Sequence, residues 1–197
     1  IVPHGQFFFS ESTDNLITAL RSALYKRGIP QTLYVDNGAI YTCAEINQIC
    51  ARIGTLLCHT PVRDGAAKGK IERFFRTCRD QFLLQRLDLS SLDALNDRFR
   101  DWVENEYNAR VHSTLQMKPL DRFGMDLSRI RFLDPMEANE ELFFFEQDRA
   151  CRKDNTFSVG GVRYEAPRDL SDRKIQVRCN RSDPKRVVVF YKGERMG

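Results

Sequence analysis

The feature that most limits the fold of this chain is a change of period along it. Up to about residue 60, short apolar runs of strand length alternate with segments of helical spacing; from Leu142 onward only strand-length runs remain. Phe7 to Phe9 reads as a short aromatic strand. Ser12-Thr13-Asp14-Asn15 offers N-cap side chains to a helix whose Leu16, Ile17, Leu20, Ala23 and Leu24 share a face, and Gly28 and Pro30 stop it. Thr32 to Val35 is a buried-strand signal that closes on Asp36-Asn37-Gly38. Cys43 to Gly54 reads as a second helix with Ile46, Ile49, Cys50 and Ile53 on one side, and Thr55 to His59 as a third strand. Alternation of this kind predicts an α/β domain with helices covering a sheet.

Residues 61–70 hold two glycines, a proline and three basic side chains, the composition of a mobile functional loop. A long helix is expected from Ile71, with Ile71, Phe74, Phe75, Cys78 and Phe82 as its apolar stripe. Another is expected from the Ser90-Ser91 cap, burying Leu92, Leu95, Phe99, Trp102, Val103 and Tyr107. Beyond Leu142, five strand-length segments, two of them flanking the turn Gly160-Gly161, suggest a small barrel or sandwich. The expected division is 1–125 for the α/β domain, 126–141 for a linker and 142–197 for the β domain.

Composition removes several classes. With 42% hydrophobic and 29% charged residues the chain is neither disordered nor collagenous, and its apolar runs are too short to span a bilayer. Six scattered cysteines form no C-x-x-C pair, which argues against structural zinc and, with no secretory signal, fits the reducing cytoplasm. The start at Ile1-Val2-Pro3 reads as a cut. The net charge of +4 is small, but residues 63–86 carry all of it: Arg63, Lys68, Lys70, Arg73, Arg76, Arg79 and Arg86 against Asp64, Glu72 and Asp80.

Two carboxylates stand where chemistry is commonly placed. Asp36 closes a predicted strand of an α/β sheet, although Asp-Asn-Gly is also an ordinary turn. Glu72 lies in the first turn of the helix after the basic loop, sharing a face with Arg76 and Arg79; its bland reading is an i,i+4 ion pair with Arg76. Two-metal phosphoryl transfer needs oxygen ligands from separate rigid elements, and the phosphates it acts on need cations beside them. A carboxylate at a strand end and another within a basic helix meet both needs.

Tyr34-Val35-Asp36-Asn37-Gly38, followed by Lys68-Gly69-Lys70-Ile71-Glu72-Arg73-Phe74-Phe75-Arg76-Thr77 and by Tyr107-Asn108, Arg110, His112-Ser113-Thr114-Leu115 and Pro119, resembles the catalytic core of the DDE transposases of bacterial insertion sequences, which is retroviral-integrase-like. The resemblance covers about residues 1–125. It implies an α/β, ribonuclease H-like fold that lacks its first strand here, with the first catalytic Asp upstream of Ile1; Asp14 sits in a helix cap and does not replace it. It further implies Asp36 and Glu72 as catalytic ligands of two Mg2+ or Mn2+ ions, with Lys68, Lys70, Arg73, Arg76 and Arg79 on phosphates. Asn37 and Gly38 would shape the wall beside Asp36, and His112 would position DNA or a water, although a histidine after a helix end is more often a structural hydrogen-bonding partner. The β-rich tail is similar to the small C-terminal barrel of Mu-type transposases. The implied partners are double-stranded DNA at element ends and target, further copies of the chain on that DNA, and an ATPase partner protein. The implied activity of the intact enzyme is 3′-end cleavage and strand transfer, with the fragment inactive alone. A DNA-binding or assembly module on a degenerate fold is the alternative, and a ribonuclease H-type nuclease would leave the Tyr107 to Pro119 signature unexplained.

Overall fold

A computed structural model describes residues 1–61, 69–134, 137–167, 169–180, 183 and 185–197. The predicted loop at 61–70 therefore falls mostly outside the described residues. The chain is a mixed α/β protein that divides into two compact units, Ile1–Cys43 with Thr55–Asp134, and Ala44–Gly54 with Pro135–Gly197.

In the first unit, α1 (Thr13–Arg27) starts on Ser12, whose Oγ accepts the Asn15 N–H at 3.1 Å. It ends on Gly28 at φ +83°, a left-handed conformation that glycine adopts without strain. β1 (Thr32–Val35) pairs in parallel with β2 (Leu56–His59), Val35 facing His59. α3 (Gly69–Thr77) runs into a π-helical turn, Cys78–Phe82. α4 (Leu92–Asp101), capped by Ser91, likewise runs into a π-helical segment, Trp102–Tyr107. α5 (Pro119–Gly124) begins on its proline.

These elements converge on an aromatic core of Phe74, Cys78, Phe82, Phe99, Trp102 and Val103, with Val2, Phe7 and Tyr107 against it. Phe82 lies 4.9 Å from Phe99 and 5.5 Å from Trp102 between ring centroids, and Phe74 meets Tyr107 edge-on at 5.1 Å. Each fully buried Phe contributes about 1.5–3 kcal/mol by leaving water. Burial also pushes the Cys78 thiol up to about 11, with Arg79 opposing the shift, so this cysteine is a small apolar side chain rather than a nucleophile.

Two expectations are corrected here. Ile71 and Phe75 are not core: they are 48% and 52% exposed, while Phe74, Cys78 and Phe82 are buried. Helical spacing identified one line of residues, but only the line at four-residue steps, carried through the π turn, meets the aromatic core. Phe7 to Phe9 is not a strand. No β-ladder partner flanks it among the described residues; instead the Asn96 side chain accepts from Phe7 N at 2.7 Å and donates to Phe7 O at 3.1 Å. Asn108, fully buried, does the same for Val2, at 2.9 and 3.0 Å. Two asparagines thus supply the paired bonds a neighbouring strand would give, satisfying backbone groups that are costly to bury unpaired.

In the second unit, β3 (Phe145–Ala150), β6 (Lys174–Cys179), β7 (Val187–Tyr191) and β8 (Glu194–Arg195) form an antiparallel sheet in the order β3-β6-β7-β8. β4 (Thr156–Val159) and β5 (Val162–Glu165) form a hairpin around Gly160 and Gly161, both at positive φ, as a two-residue turn requires. Ile175, Val177 and Cys179 point inward from β6 and join Phe157, Val159, Leu170 and Val189 in a second core. α6 (Glu137–Glu140) precedes the sheet.

The same unit contains α2 (Ala44–Ile53), whose Ile46, Ile49, Cys50 and Ile53 are all buried. Gln48 clasps β3 at both ends of one residue, donating to Glu146 O and accepting from Glu146 N at 3.1 Å each. Arg52 donates to Leu142 O at 3.1 Å, Phe144 O at 2.6 Å and Glu146 Oε2 at 3.1 Å, and Arg178 shares that carboxylate at 2.6 Å.

All six cysteines are free thiols. Among the described residues no helix is long and apolar enough to cross a membrane.

Candidate metal and nucleic-acid site

Asp36 stands immediately after β1, at the carboxyl end of the parallel pair, and is partly buried. Its Oδ1 accepts the Gly38 N–H at 2.8 Å, so the strand end and the Asx turn are one arrangement. A Cβ at position 38 would stand 2.8 Å from that oxygen, which would have to move, and in ordinary contact with the Tyr41 ring at 3.4 Å. Glycine is therefore a steric condition for this carboxylate position.

The neighbours fix the backbone around it. His59 Nδ1 bonds to Asp36 O at 3.1 Å, Thr60 N donates to Val35 O at 2.8 Å, and Asn37 Nδ2 donates to Thr60 O at 3.0 Å. The ends of β1 and β2 are thus laced together by side chains, and Asn37 spends its amide on that lacing.

Glu72 is exposed in the first turn of α3, with Lys70, Arg73 and Arg76 on the helix and Arg79 in the π turn, all exposed. Arg76 pairs with Asp80 across one turn at 3.7 Å rather than with Glu72. Among the described residues, Glu72, Lys70, Arg73 and Arg79 form no ion pair. Lys68 lies outside the described residues. No group of three or more His, Cys, Asp or Glu gathers into a metal site among the described residues.

The Tyr107 to Pro119 signature folds into a structural knot. Tyr107 packs on Phe74 and Trp102; Asn108 binds Val2 through its side chain and accepts from Leu120 N at 3.1 Å. His112 exchanges backbone bonds with Met117 and Gln116, and its Nδ1 accepts from Thr114 N at 3.3 Å. Its imidazole is engaged in shaping this turn. Sequence reasoning passed over Asn96, though an asparagine four residues after Leu92 and three before Phe99, inside an apolar stripe, is the signal of a buried polar side chain with a backbone partner.

A family model for the TnsB C-terminal domain matches residues 14–86, the stretch that holds both carboxylates. The transposase for transposon Tn552 of Staphylococcus aureus is 24% identical over 95% of this chain and 43% of its own length. The transposase for an IS21-like insertion sequence element of Bacteroides fragilis is 28% identical over 53% of this chain and 19% of its own length, and that for IS21 of Pseudomonas aeruginosa 22% over 68% and 33%. The chain is thus similar to transposases of a transposon and of insertion sequence elements. It spans less than half the length of these curated relatives. Among solved structures, a chain in the cryoEM structure of the simian T-cell lymphotropic virus intasome in complex with PP2A regulatory subunit B56 gamma is similar at a TM-score of 0.43 and 14% identity, over 92% of this chain and 62% of that one. The stretch matched by the TnsB C-terminal domain model begins within α1 and ends after the π turn, so it takes in β1, β2 and α3 together.

Proposed function

We propose that this chain is the part of an insertion-sequence transposase that contributes Asp36 and Glu72 to a two-metal site for DNA 3′-end cleavage and strand transfer, on a ribonuclease H-like core followed by a small β-barrel. The observation that carries the reading is the Asp36 carboxylate, held at the end of a parallel strand pair by Gly38 in the segment that the TnsB C-terminal domain model matches. Carboxylate oxygens are the donors that Mg2+ and Mn2+ prefer. When bound, such ions stabilise the charge on the attacking and leaving oxygens.

What the chain's own residues do is positional. Gly38, His59, Asn37 and Thr60 fix the backbone at Asp36, so its carboxylate does not reorganise as the reaction proceeds. Lys70, Arg73 and Arg79, and Lys68 with them, hold backbone phosphates beside Glu72, so that affinity comes from charge and register from the helix. Assembly of further copies on DNA and docking of an ATPase partner belong to the same proposal.

The test uses the intact parent enzyme. Asp36→Asn and Glu72→Gln are each expected to abolish Mg2+-dependent end cleavage while DNA binding in a mobility-shift assay stays within about twofold, each neutral isostere changing one charge among many phosphate contacts. Normal cutting by either variant overturns the assignment. The 197-residue chain alone is expected to join no transposon ends.

A further inference from the structure

A cavity of about 340 Å3 opens in the first unit, at the small end of the range for ligand sites. Three pieces of chain line it: the N-terminal segment with His4 and Gln6, α1 with Ser22 and Lys26, and α4 with Asn96 and Arg100. The four-residue spacing in each helix stacks a small polar group and a cation on one face, so two helices present matching pairs to one space.

Among the described residues no carboxylate lines the cavity. The counter-charges stand outside the lining: Glu104 takes Lys26 at 2.7 Å and also Arg27, and Asp97 takes Arg100 at 3.0 Å. Three cations therefore share two carboxylates. The Ser22 hydroxyl donates to Thr18 O and the Asn96 amide to Phe7 O, and His4 Nε2 meets Gln6 Oε1 at 3.4 Å; the donors that remain are the Gln6 amide N–H groups, Nδ1 of a protonated His4, and the N–H groups of Lys26 and Arg100 beyond those facing Glu104 and Asp97. Burial lowers the pKa of His4, and Lys26 and Arg100 lower it further against the opposing effects of Gln6 and Glu104, so the imidazole is neutral at pH 7 and feels both cations.

We propose that this cavity binds a phosphoryl oxyanion, from a nucleic-acid backbone or from free phosphate, between Lys26 and Arg100, with His4 taking a proton from solvent as the anion enters. The anion offsets the two cations that disfavour imidazolium, so occupancy raises the His4 pKa and, by linkage, binding tightens as pH falls. The site shares no residue with Asp36, Glu72 or α3 and stands whether or not the transposase chemistry does.

The experiment is a pH titration of the three histidines by NMR in the full 197-residue chain, in inorganic phosphate and in sodium chloride of equal ionic strength. The His4 titration is expected to move to higher pH in phosphate alone, with His59 and His112 following the salt control. Lys26→Gln with Arg100→Gln is expected to weaken phosphate binding at least about tenfold, since it removes both fixed cationic donors. Unchanged His59 and His112 signals show that the variant is folded, and the wild-type titration decides the matter without it. If a short DNA duplex at equal phosphate concentration moves His4 as well, the source is the nucleic-acid backbone; if inorganic phosphate alone does, it is the free anion. Identical His4 titrations in phosphate, duplex and chloride overturn the proposal.

Discussion

On α3 and its π turn, Lys70, Arg73 and Arg79 stand exposed without a carboxylate partner among the described residues. In the second unit, Arg52 and Arg178 are both held by Glu146, Arg186 by Glu140 and Arg195 by Glu141. Arg178 also lies over the Phe190 ring at 4.1 Å and Arg186 over Phe144 at 5.5 Å. The side-chain type is the same, but in one place its charge is spent on holding strands and a helix together, and in the other it faces water. A paired cation meets a phosphate only through the N–H groups that its carboxylate leaves over, as at Lys26 and Arg100, whereas an unpaired one offers its whole charge and loses only hydration. The proposed nucleic-acid face on α3 therefore differs from the structural arginines of the second unit in the availability of its charge rather than in its local count.

The largest expected effect tests the structural half of this contrast. Glu146→Ala leaves Arg52 and Arg178 facing each other without their shared carboxylate, in positions only 11% and 25% exposed. A loss of about 3 kcal/mol is expected, the low end for breaking a buried pair. Hydrogen exchange at β6 should report it, while the fluorescence transition of Trp102, the single tryptophan and a core residue of the first unit, stays in place.

Next comes the binding half. Lys70→Gln, Arg73→Gln and Arg79→Gln together should lower the slope of log K for duplex DNA against log salt by about 2.7, close to 0.9 for each phosphate contact. The urea midpoint should correspond to a change within about 0.5 kcal/mol. A stability loss as large as that of Glu146→Ala would erase the distinction.

A smaller effect concerns acid. Burial raises the Glu104 carboxyl, but the hydrogen bonds and charges of Lys26 and Arg27 outweigh it and hold the pKa below its ordinary 4.5. Because the folded value is depressed, this stabilisation is fully present above the ordinary pKa and is lost as pH falls through the lowered one. Urea titrations of wild type and Glu104→Gln should therefore converge toward low pH, and parallel curves would break the prediction.

The smallest belongs to Arg76, which is exposed yet paired with Asp80. Asp80→Asn should cost at most about 0.5 kcal/mol and leave Arg76 more available, so that duplex binding tightens slightly.

Much of this was legible in the sequence wherever the signal is local. The Ser12 and Ser91 caps, the left-handed Gly28, the Gly160-Gly161 turn and the buried stripe of α2 depend on residues within a few positions of one another. Residue spacing says which side chains share a face, but not what covers that face. Ile71 and Phe75 were read as one stripe with Phe74, Cys78 and Phe82 and remain exposed, and α2 was read correctly as amphipathic without any hint that Glu146 would receive it. At the site, Asp36 and Glu72 could be picked out by their positions at element ends. The use of Asn37 to tie backbone could not, since it depends on Thr60, whereas a structural hydrogen-bonding role for His112 could be read but not its partners in the turn to Met117. Phe7 to Phe9 failed as a strand for a related reason: a strand is defined by its neighbour, and the neighbour here is an asparagine side chain.

The placement of α2 in the second unit means that the chain passes from one unit to the other at three points, near residues 43, 54 and 134. Chain order and folding units are therefore interleaved. Cutting once at residue 134 would give a C-terminal piece without the helix that Glu146, Leu142 and Phe144 bind, and an N-terminal piece carrying four buried apolar side chains of α2 with their cover removed. A dissection that respects the fold needs α2 supplied to the β unit, for example by circular permutation.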